Sequence, residues 1–358
     1  MKHKKQYLLA IDTSCDDTSC AVTLGTRIHS NIVASQVELH KPYGGVFPTV
    51  AKLAHAENIE KTARLALKRA HITPLELAGC AVTVGPGLAP ALEVGIRFAK
   101  QFAGEHDLPL IAVNHMEGHL LSVLAEPLNT KLLSTPITPV VFPVLAVIIS
   151  GGHSEFVRVA GYGKYQIIGK TLDDAAGECL DKVGRMLNLG YPAGPVIEQF
   201  ARLGNPAAHS FPLPLTQTKT YDLSFSGLKT YTRNLLEKMT KDGLLEKQVI
   251  YDLCASIQKS VFRHICYKLN SILKNEKYTE VWLSGGVAAN AQLRKEIRKI
   301  VHKNNIVVKV RVPYSRRLCG DNAAMIGVAA GLNQQLEWHT QPATAFPDRQ
   351  PKMGLTSE

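Results

Sequence analysis

The sequence predicts a two-lobed α/β protein built by duplication, and three observations carry that expectation. Leu9-Ala10-Ile11-Asp12-Thr13-Ser14 and Leu145-Ala146-Val147-Ile148-Ile149-Ser150 read alike, and each is followed after a short turn by a second apolar run, residues 21–24 and 156–160. Both pairs have the pattern of a β-hairpin. Downstream, residues 81–87 and 281–286 each form a strand-like run that enters a glycine turn and then a helical pattern. Finally, 358 residues at roughly 150 per domain suggest about two domains, and 45% hydrophobic against 20% charged residues is ordinary globular composition.

In chain order, the first hairpin leads to a helix predicted over 51–70, then the strand ending at Gly85 and a helix over 90–105. The segment 135–143 holds Pro136, Pro139 and Pro143, resists helix and makes a natural link between halves. The second copy is about 64 residues longer than the first, which places an insertion at about 171–243. Further helices are predicted over 176–187, 244–273, 290–302 and 322–332. The division is therefore 1–114 for an N-terminal lobe and 115–142 for a histidine-bearing helix with its linker, then 143–333 for a C-terminal lobe and 334–358 for a tail. Two such lobes suggest a nucleotide held in a cleft between them.

Several classes are excluded. The longest apolar stretch, around 140–149, is about half a bilayer span and contains Pro143. The apolar run 7–11 after Lys2, Lys4 and Lys5 is too short for a signal peptide, so export is not expected. Seven cysteines without a Cys-x-x-Cys pair indicate neither a disulfide framework nor a zinc ribbon, and a reducing cytoplasm fits best. The net charge is +11, and between Arg263 and Arg317 there are 13 Lys/Arg against three acids. Such a concentration reads either as a polyanion-binding face or as a solvated helix face.

The sharpest local feature is His115-Met116-Glu117-Gly118-His119. Four helical residues advance roughly 400°, so the two imidazoles share one face at the spacing a metal uses. Glu117 points the other way, unlike the base of a His-Glu-x-x-His protease. The missing ligand is expected from Cys319-Gly320-Asp321-Asn322, where Asp321 also reads as a helix N-cap. Two histidines and one carboxylate suit Fe(II) or Zn(II). The turns Ser150-Gly151-Gly152-His153-Ser154 and 284–290 place small residues directly after strands, where bare amides approach an anion or a ribose. Neither a P-loop nor a Gly-x-Gly-x-x-Gly is present. Asp12, Asp16 and Asp17 flank the first hairpin; Asp173 and Asp174 read as partners of a helix dipole, and Asp181 as a ligand.

Taken in order, Asp12-Thr13-Ser14-Cys15-Asp16-Asp17-Thr18, Gly85-Pro86-Gly87-Leu88, the His-Met-Glu-Gly-His segment and Ser150-Gly151-Gly152-His153 are followed by Asp173-Asp174-Ala175-Ala176-Gly177-Glu178 and Tyr191-Pro192-Ala193-Gly194-Pro195. Asp222-Leu223-Ser224-Phe225-Ser226-Gly227-Leu228-Lys229-Thr230, 284–290 and Asp321-Asn322 complete the set. Together they closely resemble the bacterial tRNA adenosine threonylcarbamoyltransferase (TsaD, Gcp/YgjD) family from about residue 8 to 333. The resemblance implies an actin-like (ASKHA) fold of two ribonuclease-H-like lobes. It implies transfer of a threonylcarbamoyl group from threonylcarbamoyl-AMP to the exocyclic amine of adenosine 37 in tRNAs reading ANN codons, with release of AMP. By the same resemblance His115, His119 and Asp321 bind one Fe(2+), and Ile148, Ile149, Ser150, Gly151, Gly152, Asp181, Gly194 and Asn290 hold the adenylate. Asp17, Ser150 and His153 are the expected catalytic residues. TsaB and TsaE are implied as partners, with a TsaC-type synthase upstream; the basic 263–317 region, read from charge, is one candidate surface for the tRNA backbone.

Departures from the family pattern are small. Asp12 and Asp17 stand where bacterial members usually carry Glu, Ala193 replaces a usual Gly, and Gly320 and Ala323 alter the surroundings of Asp321. A sugar or acid kinase of the same superfamily, or a nucleotide-gated scaffold, shares the lobes and glycine turns but has no need of paired histidines.

Overall fold

The computed structural model describes residues 7–128, 139–244, 246–304, 308–333, 338–339 and 346–355. Residues 135–138 of the predicted link and about half of the tail lie outside them. The chain divides into two compact units: residues 1–141, 160–165 and 311–358 form the first, and 142–159 with 166–310 the second.

The first unit is built on β1 (Tyr7–Asp12), β2 (Asp17–Leu24) and β3 (Arg27–Ser35), an antiparallel meander. Helices α1 (Val37–His40) and α2 (Pro48–Ala70) lead to β4 (Leu77–Gly85), which pairs parallel with β1. Helix α3 (Ala89–His106) leads to β5 (Leu110–Asn114), parallel to β4, and then to α4 (His115–Leu121) and the short β6 (Glu126–Pro127). In the second unit β7 (Val144–Ile149), β8 (Ser154–Gly161) and β9 (Lys164–Lys170) repeat the meander. Helices α5 (Ala176–Met186), α6 (Gly194–Ala201), α7 (Ser226–Lys241) and α8 (Lys247–Asn275) follow, then β10 (Glu280–Ser284), α9 (Ala291–Lys303) and β11 (Lys309–Arg311). Finally α10 (Ala323–Leu332) and β12 (Trp338–His339) rejoin the first unit.

The duplication is explicit in the sheets. Apart from the terminal strands β12 and β6, the first sheet runs β5-β4-β1-β2-β3, and the second runs β11-β10-β7-β8-β9. Each is a three-strand meander extended by two crossover strands, the same order twice. This is the duplicated α/β architecture that the two hairpins predict, and it agrees with the actin-like fold that the family resemblance implies.

Both central strands read as continuous apolar runs because both their faces are covered: all six residues of β1 and of β7 are buried. In β1, Leu9 and Ile11 join the core of α2 and α3, with Ile59, Ala63, Val94 and Ala99. The intervening Ala10 meets Gly327 of α10 on the other face, as a period of two requires.

Two expectations need correction. The second unit ends at Val310, not near 333, because α10 is apolar over its whole length and finds its cover on the first sheet. The helix predicted over 244–273 begins at Lys247 and runs to Asn275, and the insertion before it carries two unpredicted helices, α6 and α7.

Candidate functional site

Helix α4 starts at His115 because Asn114 caps it, its Oδ1 accepting from the amides of Met116 at 2.8 Å and Glu117 at 3.3 Å. The parallel strand β5 thus delivers both histidines at its C-terminal end. Asp321 follows a short turn, and the cap predicted for it falls instead to Asn322, whose Oδ1 accepts from Met325 N at 3.2 Å. Asp321 is thereby left free to face the histidines. Its Oδ1 lies 3.5 Å from His115 Nε2 and 3.1 Å from His119 Nε2. One ligand atom from each residue falls within a common 4.8 Å span. Gly118 permits this: a Cβ there would sit 2.9 Å from Ile326 Cδ1 and hold α4 off α10.

The donors fit a divalent transition ion. The rings of His115 and His119 stand edge to face at 4.7 Å, with both Nε2 atoms turned to one carboxylate oxygen. Their Nδ1 atoms are buried without a hydrogen-bond partner. Asp12 Oδ2, 1% exposed at the end of β1, is 3.4 Å from His115 Nδ1, the relation by which an outer carboxylate orients a metal-bound imidazole. Burial by itself would lower the His115 imidazole, but Asp12 and Asp321 outweigh it and push the group up to about 10. Desolvation of Asp321 is likewise overcome by the two imidazoles, which hold its carboxyl well below the usual range.

Glu117 faces away, as its offset predicts. It is 3% exposed, and its Oε1 accepts from Tyr165 Oη at 2.7 Å and Asn333 Nδ2 at 2.7 Å. A carboxylate so engaged is no base for metal-bound water, which removes the protease reading.

The remaining predicted residues, apart from Asp17, lie in the second unit. Ile148 and Ile149 are buried at the end of β7; Ser150 N donates to His153 O at 2.8 Å and Ser150 Oγ accepts from His153 N at 3.0 Å. Gly177 N and Glu178 N donate to the carbonyls of Ser150 and Gly151, seating the turn on the start of α5. One turn further along α5, Asp181 Oδ1 accepts from the amides of Ala193 at 2.8 Å and Gly194 at 3.2 Å. Gly285, at φ +89°, lies where a Cβ would meet Ile149 O at 2.4 Å, so the turn after β10 closes on the end of β7. Asn290 then caps α9 through Oδ1 and donates from Nδ2 to Gln258 at 2.7 Å. The eight residues expected to hold the adenylate thus lie at the C-terminal end of β7 and the turn after it, on the second turn of α5, and at the starts of α6 and α9. Ser150 and His153 sit together there, whereas Asp17 opens β2 in the first unit, where burial pushes its carboxyl up to about 7.

The dipole role read for Asp173 and Asp174 needs correction. Asp173 accepts from the amides of Phe225 and Ser226 and from the hydroxyls of Ser224 and Ser226, which fastens the start of α7. Asp174 pairs with Lys182 and Lys229. The Ser-Phe-Ser-Gly-Leu-Lys segment is therefore tied to the two aspartates by short bonds. Sequence reading missed the Asp12–His115 approach and the Tyr165–Glu117–Asn333 network. Asp12 had a signal in its place at the end of the first strand; Tyr165 had none.

Comparison with known proteins gives a consistent result. A family model described as tRNA N6-adenosine threonylcarbamoyltransferase matches residues 27–328. A protein of that description from Trichlorobacter lovleyi is 43% identical over 323 residues, covering 90% of each chain. One from Clostridioides difficile is 43% identical, covering 91% of this chain and 92% of its own, and one from Streptococcus mutans is 41% identical, covering 95% and 98%. Among solved structures, full-length HypF aligns with 92% of this chain and 55% of its own at a TM-score of 0.57 and 15% identity, a likeness of fold alone. On this evidence the chain belongs to the tRNA N6-adenosine threonylcarbamoyltransferase family of tRNA-modifying transferases.

Proposed function

We propose that the chain transfers the threonylcarbamoyl group of threonylcarbamoyl-AMP to N6 of adenosine 37 in tRNAs reading ANN codons. The observation that carries this reading is the convergence of His115, His119 and Asp321 in a chain of this family. In the reaction the exocyclic nitrogen attacks the carbamoyl carbon, a C–N bond forms, the C–O bond to the phosphate breaks, and the amine proton and AMP depart.

An adenine amine is a poor nucleophile, so the rate depends on an activated donor, orientation and stabilisation of charge. The amides of Gly151 and Gly152 hold the phosphate of the donor, and the backbone at the start of α6, fixed by Asp181, lies against its ribose and adenine with Asn290. His153 and Ser150 fix the shape of that turn beside the departing phosphate. Asp17, its carboxyl pushed up to about 7 by burial, has the acidity to take or give the amine proton near neutral pH. His115, His119 and Asp321 would hold one divalent ion, Fe(2+) on the family pattern, the donors alone suiting Fe(2+) or Zn(2+), with Asp12 orienting His115. When bound, such an ion supplies Lewis acidity to an oxygen of the donor.

TsaB and TsaE act with the chain and a TsaC-type synthase supplies the donor, all in the cytoplasm. Among the described residues no helix is long and apolar enough to cross a membrane. The test is incubation with TsaB, TsaE, threonylcarbamoyl-AMP and unmodified tRNA, followed by mass spectrometry of the nucleosides. Formation of the threonylcarbamoylated adenosine is expected, and its absence from the complete mixture would overturn the reading.

A further inference from the structure

The second unit holds a groove that the proposed chemistry does not employ and that falls partly within the basic 263–317 region. It lies between α8 and α9, closed at one end by α6, with a volume of about 900 Å³. Its floor is apolar, formed by Ala255, Phe262, Cys266 and Ile300, and the exposed Tyr267 stands at its side. Lys259 on one wall and Lys295 and Lys303 on the other line it. All three lysines are exposed, and none makes a hydrogen bond or ion pair with a described residue. The acids of the lining are already engaged: Glu198 holds Arg202 and Glu296 holds Lys299.

The spacing of the cations selects the kind of ligand. Lys295 and Lys303 are eight helical residues apart, about 12 Å along α9 at 1.5 Å per residue, further than one phosphate or carboxylate bridges. Lys259 faces them from the other helix. Three unpaired cations spread along two walls match a chain of anions rather than a single one. An apolar floor beside an exposed tyrosine suits the flat face of an unstacked base, which is how proteins read single-stranded RNA.

We propose that this groove docks a single-stranded segment of the tRNA substrate, with backbone phosphates on Lys259, Lys295 and Lys303 and an unstacked base against Tyr267 and the floor. The assignment rests on the tRNA-modifying function proposed above and locates where the RNA is held.

The test is tRNA affinity of the full chain, by fluorescence anisotropy between 50 and 200 mM salt. The variants are the triple K259E/K295E/K303E, Y267A, Y267F, and a control of equal charge change on α2, K61E/K68E/R69E. Removing three phosphate contacts should weaken binding at least about tenfold and flatten the salt slope by about 2. Y267A should weaken binding roughly tenfold without changing the slope, and Y267F should restore it. The control should stay within about twofold. All changes are on exposed side chains, and unchanged melting curves confirm folding. A triple variant that binds tRNA like the wild type overturns the assignment, as does one whose loss the α2 control reproduces. A groove that captures an acidic peptide in preference to single-stranded RNA also overturns it. A wild-type chain that binds tRNA yet forms no modified nucleoside sinks the proposed function and leaves the docking surface standing.

Discussion

Replacing Tyr165 by Phe should loosen the helix that carries the two histidines proposed to hold the metal ion. Glu117 lies between them on α4 and is 3% exposed, and Tyr165 Oη and Asn333 Nδ2 each donate to its Oε1 at 2.7 Å. Burial pushes the Glu117 carboxyl up, opposed by those two bonds. Burial, reinforced by Glu117, also pushes the Tyr165 hydroxyl up, so it stays protonated and donates. Y165F conserves the ring and removes one of the two donors. A hydrogen bond to a charged buried group is worth about 1.5–3 kcal/mol, so a loss of about 2 kcal/mol is expected, or roughly 5 °C in Tm. Partners that hold metal ligands in place typically cost 10–100-fold in metal affinity when removed, and a loss near the lower bound is expected because Tyr165 acts through Glu117. The assays are differential scanning calorimetry and competition for the bound ion with a chromophoric chelator. A Y165F protein that melts within 1 °C of the wild type and yields its ion to chelator at the same concentration would show that the network is no brace.

Three further outcomes follow from the geometry. D321A should lose the single bound ion by elemental analysis, because two imidazoles alone leave the site without its carboxylate. G285A should lose at least about 2 kcal/mol and weaken AMP binding in calorimetry, since alanine is strained at φ +89° and its Cβ would meet Ile149 O at 2.4 Å; unchanged AMP affinity would separate this turn from the nucleotide. His264 accepts from Ser224 N at 3.1 Å, and burial, with Lys268, pulls the imidazole down to about 4. The unfolded chain, with an ordinary histidine near 6.5, binds the proton first as pH falls. Stability from this group is therefore complete above pH 6.5 and is lost between 6.5 and 4, by roughly 3 kcal/mol in all; urea titrations should show that slope, and H264Q should flatten it.

The parts of this molecule visible in the sequence are those that local chemistry decides. Strands β1 and β7 were legible because a central strand covered on both faces has to be apolar throughout. The third strand of each meander was not: four of the first five residues of Arg27–Ser35 are polar, and Lys164–Lys170 sets Ile167 and Ile168 side by side between Gln166 and Gly169, so neither shows the long apolar run or the alternation of a strand. The paired histidines were legible from a helical spacing of four. Their outer partner Asp12 comes 103 residues earlier and reaches His115 only because β4 pairs parallel with β1 and β5 with β4, which no local pattern encodes.

Charge shows the same division between what a linear count contains and what it leaves out. Of the cations between Arg263 and Arg317, Lys268 is 1% exposed and spends its ammonium on Leu215 O, Thr218 Oγ1 and Thr220 O, pinning the loop before α7. Arg263 and Arg294 each donate to a backbone carbonyl, of Phe211 and Ala288. A buried cation that has exchanged water for two carbonyls and a hydroxyl contributes little field at the surface. The excess that a polyanion meets is therefore smaller than the count and more sharply placed, concentrated on lysines such as Lys295 and Lys303 that have no partner among the described residues. If the field of the whole segment attracted RNA, reversing any three of its charges would act alike; if the unpaired lysines do, K259E/K295E/K303E should weaken tRNA binding far more than K268E or R294E in any variant that still folds.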